Sequence, residues 1–573
     1  MQQLINSLLD LGDIFVNVYQ GILRYVLPIL SLIILIRCGK PLLTFRREPE
    51  IWAWLCLIDG KKLPITHWES VIGRSKRSDV VIDFPTISKT HAVLTRYDDG
   101  SWTISDAASK GGVFVNGEQV EISAIGSKDV ITLGGMDLKL SPISQQQEKK
   151  LAKLRTKAAN PVYSIANVLL LTVIQCLCCI SYLLGGTQGY AGTVIAGFVG
   201  IIVCQWALLF FYLSIGKPSF EVETIAFFLC TLGMAAIAAV KPGEAVKQLI
   251  AMAIGLITFL AVGWGLRELE RAKKMRYFAA VIGIALLVVT LLFGKEYHGA
   301  KNWLMIGSLS IQPSELSKVC FVFVGCSTMA RMLNQRNLIL FIMYTVIICA
   351  CLAMMNDFGT ALIFLVAFLL IAYLRSGSVG TLALACTSLG FAGVMAVRIA
   401  PHAVRRFATW RHIWEYPLTS GYQQTRALMC IASGGLFGIG AGKGFMKNVF
   451  AADSDVVFAT LGEEWGLLIC LMAIISIMIY ALFSVRCAAV ARSSFYTIGA
   501  CTAAGILVVQ VILNALGTVD ILPLTGVTFP FVSNGGSSMV CAWGLLGFVK
   551  AADTRQNASF AVRQFREGRK QDE

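Results

Sequence analysis

Asp453, Ser454 and Asp455 stand where a polar connection gives way to a long apolar run beginning at Val456. An Asp at the centre of a membrane-spanning helix costs about 2.5–3.5 kcal/mol on insertion scales, so carboxylates near such a boundary pair with a cation, line a cavity or do chemistry. Ahead of them, the connection from about 398 to 456 carries Arg398, Arg405, Arg406, Arg411, Arg426, Lys443 and Lys447. Guanidinium groups offer paired N–H donors that match an anionic headgroup or a pyrophosphate. The plainer alternative is a basic surface resting on anionic lipid.

The elements around these residues are apolar. Of 573 residues 56% are hydrophobic and only 14% charged, and the mean hydropathy is +0.69, whereas a soluble protein carries about 25% charged residues. Twelve apolar runs lie between about 162 and 552, and another at about 15–36 precedes them. Most are near the length of about 20 residues that crosses a bilayer as helix, so the fold expected is a polytopic α-helical membrane protein of about 13 helices. The first run lacks the basic lead and small-residue cleavage site of a signal peptide and reads as a retained anchor. The formal net charge of +15 sits largely in short connections, where it is a topology signal and not a nucleic-acid surface. Lys149–Lys157, Arg267–Arg276, Arg331 with Arg336, and the tail Arg555–Lys570 fall on one side, which the positive-inside rule makes cytoplasmic. The connection 398–456 is then extracytoplasmic, and its arginines need a functional reason. Seventeen cysteines lie mainly in apolar segments without a Cys-x-x-Cys metal pattern, so they read as small packing residues.

Segment 50–141 is different in kind. Short alternating runs, among them Val80–Ile82, His91–Leu94, Trp102–Ile104, Val113–Val115 and Val130–Leu133, are separated by Asp, Gly and Asn turns. That pattern predicts a soluble all-β sandwich. The expected division is an anchor at 1–48, the sandwich at 49–141, a charged linker at 142–160, a membrane domain at 161–555 and a basic tail at 556–573. The linker stretch Gln145–Lys157 is expected to be solvated or to lie as a helix on the cytoplasmic surface.

Several long motifs in the membrane part occur in a telling order. Gly299-Ala300-Lys301-Asn302-Trp303 leads to Gln312-Pro313-Ser314-Glu315-Leu316-Ser317-Lys318, then Asp357-Phe358-Gly359-Thr360. Gly421-Tyr422-Gln423, Ser433 to Gly440, Asp455 to Ala459 and Glu463-Glu464-Trp465-Gly466 follow, and then Leu522 to Gly526 and Phe529 to Ser538. Over roughly 162–552 the chain resembles the SEDS proteins (shape, elongation, division and sporulation) of the FtsW, RodA and SpoVE type. The resemblance implies a peptidoglycan glycosyltransferase of the bacterial cytoplasmic membrane. Such enzymes polymerise lipid II on the extracytoplasmic face, usually beside a class B penicillin-binding protein.

Inverting transfer from an α-linked lipid pyrophosphate to a sugar hydroxyl needs a base on the acceptor and cationic stabilisation of the leaving group. The resemblance assigns Asp455 as the general base and Arg405 and Arg406 to pyrophosphate. It allows a divalent cation, Mg or Mn, shared with Asp453 and Asp455, and calls for no nucleotide. Trp303 either stacks on substrate or anchors at the interface. Glu315 and Lys318, three apart on a helix, form a buried pair shaping the cavity. Asp357 either faces that cavity or caps the next helix. Gln423, Ser533, Gly535 and Gly536 complete the cavity, and Glu463 and Glu464 are structural or tune a metal. The glycines from Gly434 to Gly444 imply a flexible or tightly packed backbone.

Departures from that family pattern are visible. Asp453-Ser454 stands for the usual His-Thr, Asn534 for a Tyr, and Met355-Asn356 for Gln-Pro. Five apolar runs precede the Trp303 motif where the family has three. A carboxylate at position 453 would raise the proton affinity of Asp455 or bind a cation. The segment 50–141 resembles forkhead-associated (FHA) domains through Gly73-Arg74, Ser88-Lys89-Thr90-His91 and Val115-Asn116-Gly117. That resemblance implies a phosphothreonine reader serving a Ser/Thr kinase pathway. Arg74 and Ser88 would hold the phosphate with help from Lys89, His91 would brace the loop, and Asn116 belongs to the same set. Gly111-Gly112 stands where such domains carry Asn-Gly, whose Asn holds the ligand backbone. Two other readings of the whole remain open here: a flippase for a lipid-linked precursor, and a catalytically silent scaffold.

Overall fold

The computed structural model describes residues 2–44, 51–76, 78–97, 100–144, 146–147, 160–185, 189–297, 300–306, 309–329, 335–376, 379–380, 382–383, 386–387, 390, 401–488, 490–491, 493–553, 555 and 558–561. Most of the linker 145–157, most of the run expected at 378–397, Gly299, Arg331, Arg398 and the tail beyond Ala561 lie outside these.

The chain begins with helix α1, Gln2–Leu43, and continues into the sandwich. Its strands are β1 (Ala53–Leu57), β2 (Lys62–Ile65), β3 (Glu69–Gly73), β4 (Val80–Val81), β5 (Ala92–Arg96), β6 (Trp102–Asp106), β7 (Val113–Val115), β8 (Glu118–Val120), β9 (Ile122–Ile125), β10 (Val130–Leu133) and β11 (Met136–Pro142). They form two sheets, ordered β2-β1-β11-β10-β7-β8 and β4-β3-β5-β6-β9. Every second side chain turns inward, so that Leu55, Ile72, Leu94, Ile104, Val113, Ile131 and Leu133 are buried. The alternation read from the sequence is this period of two.

The membrane part contains α2 (Pro161–Leu184), α3 (Ala191–Ser214), α4 (Glu221–Val240), α5 (Ala245–Gly265), α6 (Leu269–Phe293), a three-stranded ribbon of β12 (Lys295–Tyr297), β13 (Ala300–Ile306) and β14 (Leu309–Ile311), then α7 (Pro313–Met329), α8 (Gln335–Met354) and α9 (Phe358–Ser376). After these come the short α10 (Pro401–Thr409) and α11 (Tyr422–Gly434), followed by α12 (Val457–Glu464), α13 (Leu467–Ala488), α14 (Ser494–Thr518) and α15 (Gly536–Ala551). Among the described residues ten helices are long and apolar enough to cross a membrane. The count is three below the expected thirteen because the apolar helices α7 and α15 have only 17 and 16 residues and 378–397 lies largely outside the described residues. The run expected at 457–485 is two helices, of which α13 still counts as a span. The run breaks at Gly466, where φ is +85° and an added Cβ would sit 2.3 Å from the Leu436 carbonyl oxygen.

Helix α4 is the hub. Its residues from Glu221 to Ala238 are all buried, and α1, α2, α3, α5, α12 and α13 pack around it. Polar contacts at membrane depth fix the ring. The Gln175 and Gln205 side chains donate to each other at 2.9 Å, and Gln175 also donates to Thr231 Oγ1 at 3.1 Å, tying α2, α3 and α4. Trp543 of α15, fully buried, meets the rings of Phe227, Phe259 and Phe531 at 5.2–5.6 Å.

Where α4 begins, Glu223 pairs with Lys550 at 3.0 Å and Arg555 with Asp553 at 2.7 Å and Glu221 at 3.3 Å. All five are buried or nearly so, which satisfies the charges where water cannot. The sandwich lies at this end: it follows α1 directly, and its Glu69 and Asp79 act electrostatically on Arg375 near the close of α9. Replacing Gln205 by Leu leaves the Gln175 carbonyl oxygen without its donor. The variant is expected to lose about 1 kcal/mol of stability, read as a lower midpoint in thermal unfolding of the lipid-embedded protein, while Gln175→Leu/Gln205→Leu recovers part of the loss.

Candidate active site

At the end opposite the sandwich, the chain between α11 and α12 is held by the two glutamates that follow. The Glu463 carboxylate accepts from the backbone N–H groups of Phe445 at 2.8 Å and Met446 at 2.9 Å. Glu464 accepts from Gly442 N at 3.1 Å and from the Tyr182 hydroxyl at 2.6 Å, and Trp465 Nε1 donates to that hydroxyl at 2.9 Å. Backbone bonds from Ile439 N to Glu463 O and from Gly440 N to Glu464 O close the structure. Glu463 and Glu464 thus tie this stretch, through its own N–H groups, and Tyr182 to the end of α12. The glycines serve close packing: a Cβ at Gly434 or Gly438 would come within 2.1 Å of the carbonyl oxygen of Gly462 or Glu464 respectively.

This cradle delivers a turn around Ala451, whose φ is +53°. Its carbonyl oxygen accepts from Ser454 N and Asp455 N at 3.1 and 3.0 Å. Neighbours then grip the backbone. Ser533 Oγ donates to Ser454 O at 2.7 Å, and Asn514 Nδ2, on α14, donates to Asp455 O at 2.9 Å and Val527 O at 2.8 Å. Gln423 Nε2 donates to Phe450 O at 2.8 Å, a bracing contact in place of a cavity position. The Asp455 side chain is half-buried, and its Oδ2 lies 3.5 Å from where a Cβ on Gly526 would be.

The loop Asp520–Asn534 carries the site's other wall. Arg406, exposed on α10, donates from Nη1 to Thr525 O at 3.1 Å, so its guanidinium and the Asp455 carboxylate border adjacent residues of one loop. Trp410 Nε1 to Ile521 O at 3.1 Å and Arg411 N to Asp520 Oδ1 at 3.3 Å hold α10 there. The Arg405 side chain lies outside the described residues. On the same loop, Thr525 O is 3.1 Å from a Cβ built on Gly359, which brings in Asp357. That residue caps the next helix, its Oδ1 accepting from Thr360 N at 3.1 Å, and its Oδ2 accepts from Asn302 Nδ2 at 3.1 Å and Gln312 Nε2 at 3.4 Å. Trp303 is half-buried on β13 opposite Lys295. Lys318 Nζ donates to Glu315 Oε1 at 2.7 Å, both buried, one turn into α7, which is tied to α15 by Gln312 N donating to Ser537 Oγ at 2.9 Å.

Asp453 does not join Asp455 as a second ligand or tuning charge. It is buried, Lys241 Nζ stands 3.1 Å from its Oδ1, and Asn534 Nδ2 donates to its Oδ2 at 2.7 Å. Asn534 also meets Glu244 Oε2 at 2.7 Å. Gln248, next along α5, exchanges bonds of 3.3 Å with Ser533 O and Gly535 N, so Gly535 and Gly536 open α15 against the α4–α5 corner. The two departures at 453 and 534 thus touch one another. No cluster of three or more His, Cys, Asp or Glu suited to a metal occurs among the described residues.

Sequence reading missed Lys241, Gln248, Asn514 and Thr525. Only Asn514 left a trace, as one of two amides, with Gln510, in a largely apolar helix, which at membrane depth implies a partner.

In the sandwich, Gly73 must lack a side chain because a Cβ would be 2.3 Å from Lys89 O. That approach places Arg74 against the next loop, its N donating to Ser88 O at 3.0 Å and its Nη1 to Pro85 O at 3.3 Å. His91 is buried; Nδ1 accepts from Ser88 N at 3.0 Å, so its proton is on Nε2 and is donated to Gly112 O at 3.0 Å. Lys110 N donates to Ser88 Oγ at 3.0 Å. Arg74, Lys89 and Lys110 are exposed around Ser88, the last of them not anticipated. Asn116 is elsewhere. It lies beyond the far end of β7 with φ +52°, donates to Asp129 Oδ1 at 2.9 Å and accepts from Val130 N at 3.0 Å, so it shapes a hairpin and is not part of this cup.

The family model for FtsW, RodA and SpoVE, described as "Cell cycle protein", matches residues 224–558. The chain belongs to this family. The match starts inside α4, leaving α1, α2 and α3 outside it, and the FHA domain model matches residues 70–134. A probable peptidoglycan glycosyltransferase FtsW from Wigglesworthia glossinidia brevipalpis is 29% identical over 306 residues, 50% of this chain and 77% of the relative. A peptidoglycan glycosyltransferase RodA from Mycobacterium tuberculosis is 28% identical over 53% of this chain and 69% of its own length. A chain of a solved peptidoglycan synthase complex shares the fold, with a TM-score of 0.50 at 23% identity over 58% of this chain and 96% of its own.

Lys241→Ala would strand the buried Asp453 carboxylate. Because the lysine is itself half-exposed, the expected loss is about 1–2 kcal/mol, below the 3–5 kcal/mol of a fully buried pair. Adding Asp453→Asn, which needs no cation, should restore part of it, and chemical or thermal unfolding of both variants reads the difference.

Proposed function

We propose that the chain, whose relatives are named peptidoglycan glycosyltransferases, polymerises glycan strands from lipid II. The observation that carries this is the juxtaposition at Thr525–Gly526: a half-buried carboxylate held by its backbone, with a guanidinium on the other side of the same loop. The acceptor sugar hydroxyl gives its proton to Asp455 as its oxygen attacks the anomeric carbon of the donor. The bond to the lipid pyrophosphate breaks with inversion, and Arg406 meets the charge that the leaving group gains. No step is assigned to a metal. Membrane lipid surrounds the apolar helices.

The positive-inside pattern supports a sandwich and C-terminus on the cytoplasmic side and an Asp455 loop on the extracytoplasmic side. A class B penicillin-binding protein is the partner suggested by the synthase complex that shares the fold. Inside the cell, the cup of Arg74, Ser88, Lys89 and Lys110 suits a phosphothreonine protein, with charge-assisted bonds to phosphate.

Asp455→Asn keeps the backbone clamp and removes the base. Purified folded protein is expected to lose at least about a hundredfold in lipid II polymerisation, and Arg406→Ala to lose less. Retained polymer formation by Asp455→Asn would reject the assignment, and lipid II translocation in liposomes without polymer would favour a flippase.

For the cytoplasmic module, Arg74→Ala should abolish binding of a phosphothreonine peptide in titration. Gly111→Asn should tighten it, because a Cβ there meets nothing nearer than 3.6 Å. Position 112 does not tolerate the change: φ is +70° and the Cβ would be 2.7 Å from Gln119 Nε2.

A further inference from the structure

The FHA domain gathers more positive charge around its cup than one phosphate needs. Arg74, Lys76, Lys89 and Lys110 are all exposed, and they come from three segments that meet at Ser88. Arg74 N donates to Ser88 O at 3.0 Å, Ser75 N to Lys89 O at 3.1 Å and Lys110 N to Ser88 Oγ at 3.0 Å. Because Ser88 Oγ accepts from Lys110 N, its hydroxyl proton is left to donate to an anion. Among the described residues, no acid lies within ion-pairing distance of the four cations.

The acids of these segments are turned elsewhere. Asp79 Oδ2 accepts from Val71 N at 2.8 Å, and its charge acts on Arg375 of α9. Asp106 Oδ1 accepts from Ser109 N at 3.1 Å. Asp83, exposed after β4, offsets one cation. The positive excess that remains is larger than the charge of about −1.5 to −2 that a phosphothreonine brings at pH 7.

Gly111 and Gly112, next to Lys110, have no side chain with which to hold a ligand's main chain. Charge beside the phosphate is what this cup has left to tell one phosphothreonine from another. Building on the phosphothreonine reading of the cup, we propose that it selects a phosphothreonine with further negative charge next to it, as acidic side chains or a second phosphate, and that Lys76 and Lys110 take that charge. The same complementarity sets where the ligand comes from. Thr44 and Thr156 border the sandwich on either side, but Thr44 is followed by Phe45-Arg46-Arg47 and Thr156 stands between Arg155 and Lys157. Phosphorylated there, either would bring cations against cations. The ligand therefore belongs to a separate, acidic protein, and the chain does not read itself at these two threonines.

Titration of the full chain in lipid nanodiscs with four peptides tests this. They are a phosphothreonine flanked by two alanines on each side, the same with aspartates in place of the alanines, the same with one alanine replaced by a second phosphothreonine, and a copy of residues 151–161 phosphorylated at Thr156. The aspartate and doubly phosphorylated peptides should bind roughly fivefold more tightly than the alanine peptide, the gain expected of one or two exposed ion pairs, and whichever gains more names the source of the charge. The linker copy should bind more weakly than the alanine peptide. Lys76→Ala/Lys110→Ala should bring the aspartate and alanine affinities within about twofold of each other, and Lys110→Glu should shift the preference toward the linker copy. Salt at about 1 M, where the screening length is about 3 Å, should erase the aspartate gain. Equal affinities for the first three peptides, a preference untouched by Lys76→Ala/Lys110→Ala, or tightest binding of the linker copy would overturn the proposal and leave the phosphothreonine reading in place. Binding of none of the four, or equal binding of their unphosphorylated forms, would remove that reading and the proposal together.

Discussion

Two carbonyl oxygens, those of Ser454 and Asp455, receive side-chain hydrogen bonds from Ser533 and Asn514, and the placement of the site follows from them. Gripping the peptide on either side of the Asp455 carboxylate fixes its position through the backbone. The same logic runs outward: Asn514 also holds Val527, Ser533 also accepts from Phe529 N, and the Thr525–Gly526 loop thereby keeps a constant relation to Asp455 and Arg406.

Other acids of the membrane part are engaged by their own neighbours. Glu463 and Glu464 are consumed by backbone N–H groups and a tyrosine, Asp453 by Lys241 and Asn534, and Glu315 by Lys318. Burial of each of these acids is compensated locally, which is what the cost of an uncompensated buried charge requires. The three helices outside the family match change the setting. They help enclose α4, so the helix from which Lys241 extends is held by protein on all sides.

Much of this was legible in the chain beforehand. Periods of two and of about twenty separated the sandwich from the membrane part, and motif order brought Asp455, Arg406, Glu315 with Lys318, and the cup around Ser88 to notice. The break at Gly466 was not legible, since apolar residues flank it on both sides and hydropathy cannot register a left-handed backbone. Nor was the fate of Asp453: two residues from Asp455 it suggests a pair, but its partners at 241 and 534 are far away in sequence. Asn116 misled for the opposite reason, since it is near in sequence to the cup but a strand's length away in space.

The contact between Asp453 and Asn534 bears on how such a site can diverge. Asn534 donates to Asp453 Oδ2 and to Glu244 Oε2, while Lys241 stands 3.1 Å from Asp453 Oδ1. A replacement at 453 or 534 alone leaves a polar group beside the reactive loop without its mate. The two positions, 81 residues apart in the chain, are therefore coupled as if they were neighbours.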